Sequence, residues 1–252
     1  FQDSISSRHS AKRDWYIWRD PKPDGSPPNN WVSNFGGSAW ELDPASGQYF
    51  YHAFLKEQPD LNWRNPEVRA AMHDALRFWL DRGVDGFRVD VAHGLVKDQT
   101  FPDTTGSMHT AENAPGHRMP MWDQDGVHDI YRRWRRILDE YTVPGDPDSE
   151  RILCAEAWVQ PEEALARYVR PDEMHQAFNF EFLDTRWDPA GYRHVITESY
   201  RSNDAVGAPT TWVLSNHDVL RHATRLAVVQ EGYRPNGIGA DDPQPDPELG
   251  LR

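Results

Sequence analysis

Three acids, Asp90, Glu156 and Asp218, each stand at or just after the C-terminal end of a stretch that reads as a β-strand. In barrels and open α/β sheets alike, that edge is where catalytic groups gather. In Gly86-Phe87-Arg88-Val89-Asp90, Arg88 and Asp90 lie two apart on a strand, so both side chains project to one face. A guanidinium beside the carboxylate favours its ionised form, which is the form a nucleophile needs. Glu156 leaves the most apolar strand, Ile152 to Ala155, and near two other carboxylates its proton is expected to be held tightly, as a general acid requires. Asn216-His217-Asp218 adds a neutral donor and a third carboxylate. Each acid also has an ordinary reading: a strand-end ion pair for Asp90, a helix-start acid ahead of Pro161 for Glu156, and a helix cap for Asp218. Matching positions on three strands favour one shared site. A His217–Asp218 pair could ligate a metal, but no second histidine stands at helical or Cys-x-x-Cys-like spacing from it, so no metal is expected. Cys154, the single cysteine, cannot form an internal disulfide, and its apolar neighbours suggest a buried, inert thiol.

The elements that must position these acids begin at Asn65. Asn65 suits a helix N-cap and Pro66 the first helical position, with Val68, Met72, Ala75 and Trp79 expected on the buried face and Gly83 as the stop. Val84 to Asp90 reads as a strand, and residues 92–124 as a polar loop punctuated by Gly94, Gly106, Pro115 and Gly116. Val127, Ile130, Tyr131, Trp134, Ile137, Leu138 and Tyr141 mark an amphipathic helix, with Arg132, Arg133, Arg135 and Arg136 expected on its solvated face. Then follow the strand Ile152–Ala155, a helix opened by Pro161, a strand from Gln176 to Phe182, a helix opened by Asp188-Pro189 and a last strand from Thr210 to Leu214. Alternating strands and helices with continuous apolar strands predict an α/β fold with a parallel sheet, open or closed as a (β/α)8 barrel. Four strands are visible, where a closed barrel needs eight. The acids would then follow strands n, n+1 and n+3. Residues 1–60, rich in Pro, Gly, Asn and Trp, read as an irregular excursion that must pack its own aromatics.

A chain of 252 residues with 38% hydrophobic residues can bury a full core, and no apolar run is long enough to span a membrane. The formal net charge of −13 argues against a nucleic-acid partner. The 11 Trp include core residues, but such an excess in a polar chain also suits stacking on sugar rings. The first residue is Phe1 and no leader segment follows it, which points to the cytoplasm.

Gly83-Val84-Asp85-Gly86-Phe87-Arg88-Val89-Asp90, Ala155-Glu156 and Ser215-Asn216-His217-Asp218 resemble three of the four signature regions of the α-amylase family, glycoside hydrolase family 13. Gln58-Pro59-Asp60-Leu61-Asn62-Trp63 is similar to an extra signature of its oligo-1,6-glucosidase and α-glucosidase branch. The resemblance runs in order from residue 1 to about residue 232. It implies a partial (β/α)8 TIM barrel. Residues 1–62 would form most of a small domain inserted after strand 3, residues 63–232 would carry strands 4 to 7, and 233–252 would form an irregular tail. The family's first signature, with its Asp and His, and strands 1 to 3 and 8 are not in the chain. A polypeptide truncated at both ends, poorly stable and inactive alone, is the expectation.

The resemblance further implies retaining, exo-acting hydrolysis of terminal α-linked glucose. Asp90 would be the nucleophile, Glu156 the acid/base and Asp218 the group that binds the sugar hydroxyls. Arg88 and His217 would position carboxylate and sugar, and Arg221 would close the glucose pocket. Val91 would border the leaving-group site, where Val resembles α-1,6-cleaving members, while Val91 to Asp98 as a whole resembles general α-1,4-glucosidases. The substrate would be an α-glucoside oligosaccharide. No cofactor would be required, although some relatives bind calcium through an earlier loop. Rival readings are a glucosyl-transferring isomerase such as trehalose synthase or sucrose isomerase, a non-catalytic transporter heavy-chain partner, and a metal-dependent barrel hydrolase.

Overall fold

The computed structural model describes residues 1–104, 118–228, 244–246 and 248. Gly106, Pro115, Gly116 and nearly all of the expected tail at 233–252 lie outside the described residues. The first sheet is small and antiparallel: β1 (Trp18–Arg19), β2 (Trp40–Asp43) and β3 (Gln48–Tyr51), in the order β1-β3-β2. The β2–β3 hairpin closes through Gly47, whose φ of +68° costs a glycine little and whose N–H donates to the Asp43 carbonyl. The excursion expected at residues 1–60 is therefore partly ordered as sheet, preceded by the short helix α1 (Gln2–Ser6). Its aromatics pack on one another. Trp31, Trp40, Tyr49 and Tyr51 form a core with Met119, Met121 and Trp122, which come from the far side of the sequence. Two of the buried indoles keep partners: Trp31 donates to the Pro102 carbonyl at 2.8 Å and Trp40 to Asn29 Oδ1 at 2.7 Å.

The second sheet is parallel, in the order β4 (Gly86–Val89), β5 (Ile152–Ala155), β6 (Gln176–Ala177). Gly86 lets β4 and β5 meet, because a Cβ there would stand 2.5 Å from the Ile152 carbonyl oxygen. Helix α2 (Pro66–Leu80) is capped as expected, Asn65 accepting the Glu67 N–H at 2.8 Å. Its buried face, however, follows the row Val68–Met72–Leu76–Leu80, while Ala75 and Trp79 are exposed. Two leucines offer more aliphatic area to α3 (Gly126–Asp139) than an alanine does, and the Arg77–Glu140 pair and the Tyr141–Asp81 bond fix the helices in that rotation.

Helix α3 buries the expected residues from Val127 to Leu138. Its arginines are not all a solvated face. Arg132 reaches Asp129, Asp172 and the fully buried Glu173, and Arg135 reaches Asp139 and the Glu173 carbonyl, leaving Arg133 and Arg136 exposed.

Two expected strands differ. The stretch 176–182 is strand only at Gln176–Ala177, because Asn179 caps the Phe182 N–H and turns the chain into α5 (Phe180–Asp184). With so short an edge on offer, Thr210–Leu214 pairs with nothing as a ladder, and Trp212 packs instead against Phe182 and Tyr200. The remaining helices are α4 (Glu162–Ala166), α6 (Pro189–Asp204, capped by Asp188) and α7 (His222–Leu226). Among the described residues no helix is long and apolar enough to cross a membrane.

Candidate active site

The parallel register sets Val89 opposite Ala155, so Asp90 and Glu156 leave neighbouring strands at the same level. Their backbones are one strand spacing apart, roughly 4.8 Å. The two side chains meet different surroundings. Asp90 is exposed and pairs with Arg88 at 2.5 Å, the same-face neighbour anticipated from the strand period. Glu156 is buried, with 5% of its surface exposed. Burial, and secondarily the Asp90 charge, push the Glu156 carboxyl above its ordinary range, against the opposing pull of the Val91 N–H, the Arg88 charge and the Trp158 side chain. An accessible carboxylate paired with an arginine, beside a buried carboxyl whose pKa burial raises, is the arrangement of a nucleophile and a general acid.

Immediately after Asp90 the backbone is unusual. Val91 has φ +45° and ψ +45°, a left-handed conformation that a β-branched residue rarely adopts. Its N–H donates to Glu156 Oε2 at 2.7 Å. The following turn, Ala92–Gly94, is buried, and His93 in it lies against Trp122 with its ring nitrogens unpaired by protein. Burial, reinforced by the Lys97 charge, drives the His93 pKa down to about 3, so this imidazole stays neutral at ordinary pH.

Lys97 is itself buried. Its Nζ pairs with Asp60 Oδ1 at 2.7 Å and also donates to the Gly94 carbonyl, while Asp60 Oδ2 accepts the Ala53 N–H at 2.7 Å. The turn that follows the nucleophile candidate is thus held to the segment that carries the small sheet. Asp60 was conspicuous in the sequence only as part of a longer motif, and Lys97 was not singled out. A lysine directly after Leu95-Val96 is the one signal that could have marked it. Trp158 was missed too. It stacks flat on Phe180 at 3.9 Å and forms an aromatic wall next to Glu156.

Among the described residues, Asp218, His217 and Arg221 make no hydrogen bond or ion pair with Asp90 or Glu156. His217 Nε2 stands 3.5 Å from Asp218 Oδ1, both side chains are exposed, and the hydrogen bonds of the segment are local. Cys154 is only half-buried rather than fully enclosed, and burial raises its thiol pKa, which keeps it protonated. Among the described residues no three His, Cys, Asp or Glu side chains cluster as a metal site would need.

The sequence profile of the α-amylase catalytic domain matches residues 1–236. A probable α-glucosidase of Rhizobium meliloti is 39% identical over 243 residues, which cover 90% of this chain and 42% of that protein. An oligo-1,6-glucosidase of Heyndrickxia coagulans is 39% identical over 194 residues, 75% of this chain and 33% of that protein. Among solved structures, the α-glucosyl transfer enzyme XgtA superposes with a TM-score of 0.79 at 34% identity, over 91% of this chain and 43% of its own. The chain spans about two-fifths of the length of these longer relatives.

Proposed function

Since the chain belongs to the α-amylase family of glycoside hydrolases, we propose that it supplies the nucleophile and the acid/base of a retaining, exo-acting α-glucosidase. The carrying observation is the pairing of an exposed, arginine-bound Asp90 with a buried Glu156, whose pKa burial raises, on adjacent strands. Neighbouring parallel strands, about 4.8 Å apart, suit the carboxyl separation of about 5 Å that in retaining enzymes leaves no room for direct attack by water and selects a covalent intermediate. Asp90 attacks the anomeric carbon of a terminal α-glucosyl unit while Glu156 gives its proton to the departing oxygen. A β-glucosyl ester forms on Asp90. Glu156, now ionised, takes a proton from the incoming water, which attacks the same carbon and releases α-glucose. Arg88 lies beside the carboxylate that attacks in the first step and is released in the second.

In this reading residues 1–62 are part of the small domain inserted after strand 3, and residues 63–232 carry barrel strands 4 to 7. Asp218, His217 and Arg221 reach the sugar once the remaining strands of the whole protein let Thr210–Leu214 pair. Val91 borders the leaving-group site. The substrate is an α-1,4- or α-1,6-linked glucose oligosaccharide, and the chemistry needs no redox or organic cofactor.

The test uses the whole enzyme and a slow, fluorinated α-glucosyl donor. Peptide mass spectrometry should find the sugar esterified to Asp90, and Asp90→Asn should abolish labelling and lower turnover by about four orders of magnitude. A label on any other residue, or none on a protein that turns the donor over, sinks the reading. Product analysis with maltose and sucrose separates hydrolysis from glucosyl transfer.

A further inference from the structure

The parallel ladder between β4 and β5 contains an extra residue at its catalytic end. The bonds run Ile152 N–H to the Asp85 carbonyl and Glu156 N–H to the Val89 carbonyl, and the next in that series would join the Val91 N–H to the Glu156 carbonyl. Instead Ala92 donates to the Glu156 carbonyl, at 2.7 Å. Val91 is bulged out in its left-handed conformation, and its N–H, released from the ladder, points at the Glu156 side chain. A β-branched side chain opposes this backbone shape, so the surroundings impose it. Ala92 and Gly94 are fully enclosed, and a Cβ on Gly94 would meet Trp122 and the Val91 side chain inside 3.0 Å.

We propose that the Val91 bulge is a positioning device for the acid/base, its freed N–H gripping Oε2 of Glu156 so that Oε1 is the oxygen that delivers and recovers the proton. The inference rests on the reading of Glu156 as acid/base and deepens it. The proton leaves Oε1 for the glycosidic oxygen in the first step and returns to Oε1 from water in the second, while Oε2 stays hydrogen-bonded throughout. The N–H favours the ionised carboxylate, opposing the burial that favours the protonated one. The bulge thereby lowers the upper pH limit of the reaction, in the same sense as the Arg88 charge and the Trp158 side chain and against burial and the Asp90 charge. His93, three residues beyond Asp90, is neutral across the relevant range and does not compete as the source of that limit.

In the whole enzyme, replacing Val91 by its α-hydroxy-acid analogue changes one amide N–H to an ester oxygen and keeps the side chain. The basic limb of kcat/KM should move up by about one pH unit, the effect of losing one charge-assisted hydrogen bond. An unmoved limb in the folded ester variant overturns the proposal. Val91→Gly, which keeps the N–H and accepts the left-handed conformation, should lose activity while leaving the limb in place, and a limb that moves in it as in the ester also counts against the bulge. Should the ester variant fail to fold, the amide resonance of Val91 in 15N-valine-labelled native enzyme decides. It should titrate with the limb and lie flat in Glu156→Gln, and a flat resonance in the native enzyme refutes the contact. Glu156→Gln also separates the two ideas. If the limb survives that substitution, Glu156 is not the acid/base. If the limb vanishes but the Val91 amide never titrates, only the bulge proposal fails.

Discussion

At the scale of single residues, the site is a contrast of solvation. Asp90 and Glu156 occupy equivalent positions on neighbouring strands, yet one faces water beside a guanidinium and the other is enclosed. That enclosure has a cost for stability, and its sign follows from linkage. Glu156 holds its proton in the folded chain at pH values where the unfolded chain has released it, so stability declines as pH rises through that interval and remains lower above it. Glu156→Gln should therefore raise the melting temperature at pH 7 and leave it unchanged in acid below the ordinary carboxylate range, as read by calorimetry at the two pH values. Equal changes at both would mean that packing rather than ionisation is responsible. The placement of these acids was legible in the sequence because an acid at a strand end is a local pattern, and the partnership of Arg88 with Asp90 follows from the strand period. The 2.7 Å bond from the Val91 backbone to Glu156 was not legible. It depends on a ladder shift between strands far apart in the chain, which no side-chain pattern records.

Among the elements, α4, α5 and α6 meet around a second buried carboxyl. Glu162 is raised to about 7 by its burial and then by the Glu181 charge, with Ser199 as a hydrogen-bond partner. Below the ordinary 4.5 both states are protonated and nothing is lost; between 4.5 and about 7 only the folded chain keeps the proton, and stability falls across that window as pH rises. Removing the charge by Glu162→Gln should thus stabilise the protein at pH 8 by up to about 3 kcal/mol and make little difference at pH 4. Urea denaturation at both pH values measures it, and a gain at pH 4 as large as that at pH 8 would contradict the ionisation argument. Two helix starts were readable from capping chemistry, since Asn65 and Asp188 accept backbone N–H groups of their helices, whereas Asn179 caps a helix where a strand was expected. Helix faces were readable only in part. Trp79 has the position of a core residue by period and the exposure of a surface one, because Leu76 and Leu80 won the contact with α3. Strand formation at Thr210–Leu214 was not decided by local composition at all, since a strand exists only where a neighbouring edge accepts its bonds.

For the whole molecule, the question is how the small antiparallel sheet and the parallel sheet are kept in one arrangement. Lys97 and Asp60 form a buried ion pair between them, and removing one partner strands the other charge out of water. Lys97→Met should cost about 3 kcal/mol, with much of that recovered when Asp60→Asn is added. Thermal melts of the two variants check this, and a double variant no more stable than the single would show that the pair is not the cause. A pairing of this kind joins residues 37 positions apart and leaves no trace in periodicity. The core of the small sheet carries the same message in apolar form. Met119, Met121 and Trp122 are inserted among Trp31, Trp40 and Tyr51, although they arrive on the stretch of chain that follows Asp90. Neither half can be excised, swapped or redesigned as a cassette without tearing hydrophobic surface out of the other. Any exchange of this region with a relative would have to carry both stretches together.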